Sequence, residues 1–300
     1  MSTQDKDRER QTAPPDDRSR RAFVALSAAA GWVAASRSSA ATAQDTVERD
    51  VEIRTPDGVC DAALIHPLGG AHPGVLVWTD IFGLRPSMRE FGHRLASAGY
   101  TVLVPNPFYR TARAPVLGDF SAFSFQNEAD RARLPPLTGP LNAAGAAEAD
   151  ARAYIDFLDA QRQVDKTRKI GSQGYCIGGP LVLRTAASIP DRLGAGASFH
   201  GGGLVTDQPN SPHLLAPKIR ARLYIAIAAS DDARQPDAKG TLRAAFQAAK
   251  VQAEVEVYAG TQHGWCVPDM PTQGGKPIFS RPDAERAWAK LLELYAAALA

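Results

Sequence analysis

Two kinds of apolar pattern alternate along this chain. Continuous apolar runs occupy residues 73–78, 100–105 and 222–228, as in strands that are covered on both faces of a parallel sheet. Apolar side chains recur at helical spacing in four other segments, which are a helix starting at Pro86 and residues 143–163, 238–249 and 281–299. Strands alternating with helices predict an α/β fold with a mostly parallel central sheet, helices on both faces and right-handed crossovers.

The remaining strand signals are weaker. Residues 51–55 and 60–66 flank a Pro-Asp-Gly turn and predict a hairpin. A small-residue strand is predicted at 194–199, and the alternation over 253–258 predicts a strand at an exposed edge.

The segment from about residue 106 to 142 interrupts the alternation. Five prolines between Pro107 and Pro140 prevent long elements, and Phe108, Tyr109, Phe120, Phe123 and Phe125 are concentrated there. Long irregular segments inside compact domains are usually either functional or disordered. We therefore expect a cap-like or binding loop, the alternative being a surface excursion whose aromatic side chains only pack against the body.

The first 43 residues have a different composition from the rest. A polar start is followed by Arg20-Arg21, a modest apolar run to about Ala35, and an Ala-x-Ala pattern at 41–43. This order is typical of a twin-arginine export signal with its cleavage site. We therefore expect residues 1–43 to be removed, residues 44–300 to form a single domain, and the mature protein to be exported, in a bacterium to the periplasm. The alternative is a disordered N-terminus of a cytoplasmic protein.

Composition and charge then exclude several classes of function. The 300 residues are 44% hydrophobic and 22% charged, which is ordinary for a globular protein. A formal net charge of +2, without a basic run interleaved with aromatics in the body, argues against nucleic acid as a partner. No apolar stretch in the sequence is long enough to span a bilayer. Three scattered cysteines suit neither a disulfide framework nor a zinc site, so no metal is expected.

The most informative motif is Gly-x-Cys-x-Gly at residues 174–178. A buried strand is predicted before it and a helix from Gly178 onward. With serine at the centre, this pattern is the nucleophile elbow of α/β-hydrolases, a tight turn that exposes its central side chain. The helix N-terminus behind Cys176 favours a thiolate and an oxyanion. The alternative is an ordinary strand-to-helix turn with a buried cysteine.

Four residues with suitable chemistry follow predicted strands at the same edge of the sheet. These residues are Asp80, Cys176, Asp231 and His263. Ligands of open parallel sheets bind at the carboxyl ends of the strands. The order Cys, Asp, His is the nucleophile-acid-base order of α/β-hydrolases, although the adjacent Asp232 is an alternative acid.

Two further residues with suitable chemistry have more than one interpretation. His200 ends a predicted strand, and we expect either a pocket-lining residue or, as the better-supported alternative, a histidine whose hydrogen bonds are satisfied. Cys266 lies three residues after His263, and a disulfide with Cys176 is conceivable only if the two are close in space.

At this point the sequence resembles the dienelactone hydrolase family from about Val51 to Leu299. The resemblance rests on residues 80–83 (Asp-Ile-Phe-Gly), the motif at 174–179, Asp231, His263-Gly264-Trp265 and the helix around 284–288. It implies an α/β-hydrolase fold, Cys176 as nucleophile, His263 as general base and Asp231 as the group that orients the imidazole. It also implies an oxyanion hole from the backbone N–H groups of Ile81 and Ile177, no cofactor, and a monomer.

The chain departs from the family pattern at two places. Asp80 stands where the family usually has a glutamate that assists the nucleophile, and the resemblance implies the same assisting role for Asp80, whose side chain is one methylene shorter. No arginine follows His263 closely, although the dienelactone enzymes use one there to hold the substrate carboxylate. Arg110 or Arg113, beside Tyr109, are candidates for the family's other cationic contact, and Tyr109 and Trp265 are candidate substrate contacts.

These observations predict a hydrolase of a small carboxylic ester, lactone or thioester that works through a Cys-His-Asp triad and an acyl-enzyme. The alternatives are a non-catalytic small-molecule-binding protein on the same fold and a thiol redox protein.

Overall fold

The computed structural model describes residues 45–299, and the predicted export segment lies outside them. Eight strands form one sheet in this part of the chain, in the order β1-β2-β4-β3-β5-β6-β7-β8. The strands are β1 (Thr46–Thr55), β2 (Gly58–Pro67), β3 (Gly74–Trp78), β4 (Thr101–Pro105), β5 (Ile170–Tyr175), β6 (Leu193–Phe199), β7 (Arg222–Ala228) and β8 (Ala253–Tyr258). The helices are α1 (Pro86–Ser97), α2 (Glu128–Ala132), α3 (Pro135–Leu141), α4 (Ala146–Asp159), α5 (Gly178–Ser188), α6 (Ala229–Arg234), α7 (Ala238–Ala248) and α8 (Arg281–Ala298), with a 3₁₀ helix at Pro212–Lys218.

The sheet is mostly parallel, as the sequence predicts for an α/β-hydrolase fold. β3 to β8 pair in parallel, whereas the β1–β2 hairpin and the β2–β4 pair are antiparallel. β1 begins five residues before the predicted strand. Its first half is polar and lies at the edge of the sheet, so hydrophobicity gives no sign of it.

Alternate side chains of each buried strand enter two separate cores. Leu76 and Trp78 of β3 face the layer that contains α4, α5 and α7. Val75 and Val77 of the same strand face the layer that contains α1 and α8. A strand covered on both faces needs apolar residues at every position, which explains the continuous apolar runs.

The segment that interrupts the alternation contains two short helices, α2 and α3. Three of its aromatic side chains, Phe120, Phe123 and Phe125, gather around Phe82, which follows β3. The Phe120 ring stacks on Phe82 with centroids 4.3 Å apart, and Phe123 meets the same ring edge-on at 5.3 Å. These contacts hold the segment over the carboxyl end of β3, next to the site described below.

Among the helices of the described chain, none is both long enough and apolar enough to cross a bilayer.

Candidate active site

The turn between β5 and α5 holds Cys176 in a backbone conformation that few residues adopt. Its φ is 53°, and its N–H donates to the Phe199 carbonyl at 3.1 Å. A Cβ at Gly174 would lie 2.2 Å from the Gly178 carbonyl oxygen, and one at Gly178 would lie 2.7 Å from the Trp78 carbonyl oxygen. The flanking glycines are therefore required by close backbone approach. This geometry is the strained strand-to-helix elbow that exposes its central side chain.

The carboxyl ends of β7 and β8 bring Asp231 and His263 together. His263 Nδ1 donates to Asp231 Oδ2 at 2.8 Å. The backbone N–H of His263 donates to Ser230 Oγ at 2.9 Å, and the Ser230 N–H donates to the Thr261 carbonyl at 3.1 Å. Both the ring and the backbone of His263 are thus tied to the start of α6, which fixes the orientation of the imidazole.

The adjacent carboxylate is engaged elsewhere. Asp232 accepts two hydrogen bonds from Lys239 Nζ, at 2.7 and 2.9 Å. Of the two acids that the sequence leaves open, Asp231 is therefore the one at the histidine. Asp231 also pairs with Arg234 through its other oxygen.

The surroundings of His263 favour its protonated form. Burial alone would lower its pKa, but the neighbouring Cys176 side chain and the Asp231 carboxylate together raise the pKa to about 10. The proton is held on His263 at neutral pH.

Two backbone N–H groups are available beside Cys176. Ile81 and Ile177 both line the cavity that contains the cysteine. Within residues 45–299, neither of their N–H groups has a hydrogen-bond partner. Unpaired donors at a helix N-terminus and in a tight turn have the character of an oxyanion hole.

The Asp80 carboxylate is fully buried and is bound by Arg85. Arg85 donates to its two oxygens at 2.7 and 2.9 Å, and the Phe82 N–H donates to it at 2.9 Å. Arg85 also binds both oxygens of Asp269, at 2.8 and 2.9 Å. Burial lowers the pKa of Arg85, but the two carboxylates outweigh it and raise the pKa above the ordinary value. The hydrogen bonds of Asp80 thus go to the turn after β3 rather than to the cysteine.

Tyr109 and Arg110 contact other parts of the molecule. The Tyr109 hydroxyl lies 2.6 Å from Thr55 Oγ1 and donates to Asp150 at 2.8 Å. Arg110 donates to Asp57 and to both oxygens of Asp150. Both side chains join the β1–β2 turn to α4, and neither lines the cavity.

Arg113 and Trp265 are also outside the cavity. Arg113 is exposed and pairs with Glu52 at 2.7 Å. Trp265 is fully buried and stacks on Tyr258 with ring centroids 4.3 Å apart. The structure therefore does not bring the four predicted substrate contacts to the site. Trp265 is two residues from His263 in sequence, but its ring packs in the core against Tyr258.

The cavity at Cys176 has a volume of about 820 Å³ and is lined mainly by residues that the motifs do not mark. Its apolar wall includes Phe123, Leu134, Leu204, Ile227, Leu242 and Met270. Glycines 201–203 follow β6 and line the same cavity. This glycine run is the sequence feature that could have identified the part of the wall beyond β6. The concentration of aromatic residues in segment 106–142 could likewise have identified Phe123 as a wall residue. The others come from different elements, and no local pattern identifies them.

His200 corrects an expectation of the sequence analysis. It is fully buried with φ 41°, and within the described chain neither ring nitrogen has a hydrogen-bond partner. Its ring meets the His263 ring edge-on, with centroids 4.8 Å apart and an interplanar angle of 70°. Burial, and then the neighbouring His263, lower its pKa well below the ordinary value. The prediction of a satisfied histidine was wrong, and His200 is a neutral ring packed behind His263.

The other two cysteines are free and buried. Burial raises the pKa of Cys60 to about 12, and its Sγ donates to the Asn106 carbonyl at 3.3 Å. Burial likewise raises the pKa of Cys266 well above the ordinary value. Neither has the character of a reactive thiol, and Cys266 forms no disulfide in this structure. Among the described residues, no cluster of His, Cys, Asp and Glu is arranged to hold a metal ion.

Several known proteins are similar to this chain over most of its length. The sequence model of the dienelactone hydrolase family matches residues 60–299. A Salmonella typhi protein named "Putative carboxymethylenebutenolidase" is 26% identical over 232 residues, which cover 76% of this chain and 78% of that protein. A Methylorubrum extorquens protein of the same name is 25% identical over 288 residues and covers 92% of each chain. The solved structure of m3DLH has a TM-score of 0.69 and 26% identity, covering 85% of this chain and 99% of that one.

Proposed function

The chain belongs to the dienelactone hydrolase family and is a hydrolase acting on ester bonds, and we propose that it cleaves a small carboxylic ester, lactone or thioester through Cys176, His263 and Asp231. One observation carries the proposal. The elbow cysteine and the His263–Asp231 pair, joined at 2.8 Å, line the same cavity although they come from three separate strand ends.

The first half of the reaction forms an acyl-enzyme. The Cys176 sulfur attacks the carbonyl carbon of the substrate and forms a C–S bond while His263 carries the proton of the pair. The negative charge that develops on the carbonyl oxygen accepts hydrogen bonds from the Ile81 and Ile177 N–H groups. The tetrahedral intermediate collapses by breaking the C–O bond, or the C–S bond of a thioester substrate. His263 gives its proton to the leaving group.

The second half releases the acid. His263, now neutral, takes a proton from a water molecule that attacks the thioester carbon. The same two N–H groups stabilise the second oxyanion, and the bond to the Cys176 sulfur breaks. The departing sulfur leaves as a thiolate, and the proton on His263 restores the resting pair. Asp231 holds the Nδ1–H throughout and keeps Nε2 directed at the reacting atoms.

For Asp80 we propose a positioning role in place of direct assistance to the cysteine. Its carboxylate accepts the Phe82 N–H at 2.9 Å and is itself fixed by Arg85. This contact fixes the peptide that follows Ile81, whose N–H is one of the two oxyanion donors. Asp80 thereby supports the site through the backbone turn.

The test is a parallel assay of wild type and Cys176→Ala on p-nitrophenyl acetate, a small lactone and an acyl thioester. Turnover of at least one substrate class by wild type and its loss in the variant is the expected result. Mass spectrometry of rapidly quenched wild type should show an adduct of the acyl mass on the peptide that contains Cys176. Arg113→Ala is the matched control, since Arg113 is exposed and away from the cavity, and its activity should equal that of wild type. Unchanged hydrolysis by Cys176→Ala would overturn the proposal.

We also propose export through the segment that precedes the domain. The support is the order of Arg20-Arg21, the apolar run and the Ala-x-Ala pattern at 41–43. Fractionation of cells that produce the full chain, beside an Arg20→Lys/Arg21→Lys variant, tests it. Shorter, exported protein for wild type and retention of the variant is the expected result. Equal distribution of both would contradict it.

A further inference from the structure

The wall of the active-site cavity is apolar on several sides of Cys176. Phe123 and Leu134 belong to the aromatic-rich segment, Leu204 follows β6, Ile227 ends β7 and Leu242 lies on α7. Of these, only Leu134 is more than slightly exposed to solvent. A substrate group between these side chains is removed from water on most of its surface.

The charged side chains on the wall neutralise one another. Arg234 pairs with Asp231, and Lys239 pairs with Asp232 at 2.7 Å. These two cations and two carboxylates sum to zero net charge, so the lining carries no net charge other than that of the reacting residues Cys176 and His263. Among the described residues that line the cavity, no arginine or lysine is left without a carboxylate partner.

The nearest other candidate for binding a substrate carboxylate is also occupied. Arg85 lies beside the oxyanion turn, but it already binds Asp80 and Asp269 and does not line the cavity. A carboxylate that entered the cavity would lose its hydration and meet only cations that Asp231 and Asp232 already bind, which costs far more than burying a neutral group.

We propose that the acyl group accepted by this site is neutral and apolar, a phenyl group or an alkyl chain of about four to eight carbons, and that acyl groups carrying a carboxylate are rejected. The volume of about 820 Å³ is within the range of cavities that enclose drug-sized ligands. This inference rests on the proposed ester hydrolysis and names the substrate class for it.

The size of the effect follows from the burial of methylene groups. Each buried CH₂ contributes about 0.8 kcal/mol, which corresponds to about fourfold in kcat/KM when the group is equally buried in the transition state. The increase stops where the chain reaches the end of the cavity and further carbons remain in water.

The test compares p-nitrophenyl acetate, butyrate, hexanoate and octanoate with p-nitrophenyl hydrogen adipate. The adipate monoester has the same chain length as the hexanoate but ends in a carboxylate. We expect kcat/KM to rise by about fourfold per added methylene up to the hexanoate, and the adipate to be at least a hundredfold poorer than the hexanoate. An adipate that equals or exceeds the hexanoate would overturn the inference while leaving ester hydrolysis intact.

Binding to Cys176→Ala gives a readout that does not require turnover. Calorimetry with hexanamide and with the monoamide of adipic acid should show tighter binding of the neutral amide, by at least tenfold in Kd. If wild type hydrolyses none of the esters but this order of binding holds, the proposed function fails and the cavity assignment stands. The reverse order of binding contradicts the assignment whatever the activity.

A variant can move the preference in a predicted direction. Leu134 is half-buried on the cavity wall, so Leu134→Arg places a cation there with its head near solvent. The adipate-to-hexanoate ratio of kcat/KM should rise by at least tenfold. Leu68→Arg is the matched control, because Leu68 is 70% exposed and does not line the cavity, and its ratio should equal that of wild type. An unchanged ratio in a folded Leu134→Arg protein would contradict the placement of the acyl group against this wall.

Discussion

The imidazole of His200 packs edge-on against the imidazole of His263, with ring centroids 4.8 Å apart. His200 is fully buried, and neither of its ring nitrogens has a hydrogen-bond partner within the described chain. The two rings therefore interact by van der Waals packing and not by a hydrogen bond. The His200 ring fills the space behind the histidine that Asp231 orients.

His200→Phe should preserve this packing. We expect kcat/KM within about fivefold of wild type and a Tm changed by a few degrees at most, since the substitution removes two unsatisfied polar atoms and keeps a planar ring. His200→Ala should lower the unfolding free energy by about 2–4 kcal/mol, because it leaves a cavity. Kinetics and thermal unfolding of the two variants provide the measurement. A folded His200→Phe protein with a hundredfold loss of activity would show that a ring nitrogen takes part in the reaction.

The alkaline limb of the pH profile should depend on Asp231. His263 must carry a proton for the leaving group, and its pKa is raised to about 10, so kcat/KM should fall as pH rises through about 10. Asp231→Asn removes one of the causes of the raised pKa, so the limb should move to lower pH. Rates corrected with Cys176→Ala for spontaneous hydrolysis test this, and a limb that stays in place in Asp231→Asn would refute it.

Arg85 should contribute strongly to stability. Arg85→Met leaves the fully buried Asp80 carboxylate without its cation, and we expect the unfolding free energy to fall by about 3–5 kcal/mol. Arg220→Met removes an exposed pair with Asp191 and should cost less than about 1 kcal/mol. Adding Asp80→Asn to Arg85→Met should recover part of the loss, because the buried charge is gone. Urea unfolding of the four proteins gives the comparison, and similar losses for the two single arginine variants would argue against a buried ion pair.

The elbow glycines should not tolerate a side chain. Gly174→Ala places a Cβ 2.2 Å from a backbone oxygen, and we expect a loss of about 3 kcal/mol or more together with loss of activity. Gly240→Ala is the control, since a Cβ there meets nothing within 4 Å on α7 and should stabilise the protein by up to about 1 kcal/mol. Denaturant unfolding measures both changes. An active, stable Gly174→Ala protein would contradict the backbone geometry described for the elbow.

Only one thiol should react in the native protein. Cys60 and Cys266 are buried with raised pKa values, whereas Cys176 is partly accessible in the cavity. A colorimetric thiol reagent should therefore titrate one thiol per chain in buffer and three in concentrated urea. Cys176→Ala should titrate none before unfolding. Two fast-reacting thiols in native wild type would revive a redox pairing of Cys176 with Cys266.

The sequence by itself determined the fold class, because strands buried on both faces must be apolar at every position and the helices between them must be amphipathic. It also placed Cys176, Asp231 and His263 at one sheet edge, since each follows a strand whose carboxyl end lies there. Both conclusions depend on local periodicity and on the regular geometry of parallel sheets, which act over a few residues or along a single strand.

Only the tertiary structure decided the partners of the charged and buried groups. Asp80 binds Arg85 five residues away, and Arg85 then reaches Asp269 across 184 residues of sequence. Arg110 binds Asp150 on α4 and therefore does not reach the cavity. His200 packs on a ring 63 positions further along the chain. Such pairings depend on which side chains the folded elements bring within a few ångströms, and no periodicity along the chain encodes that.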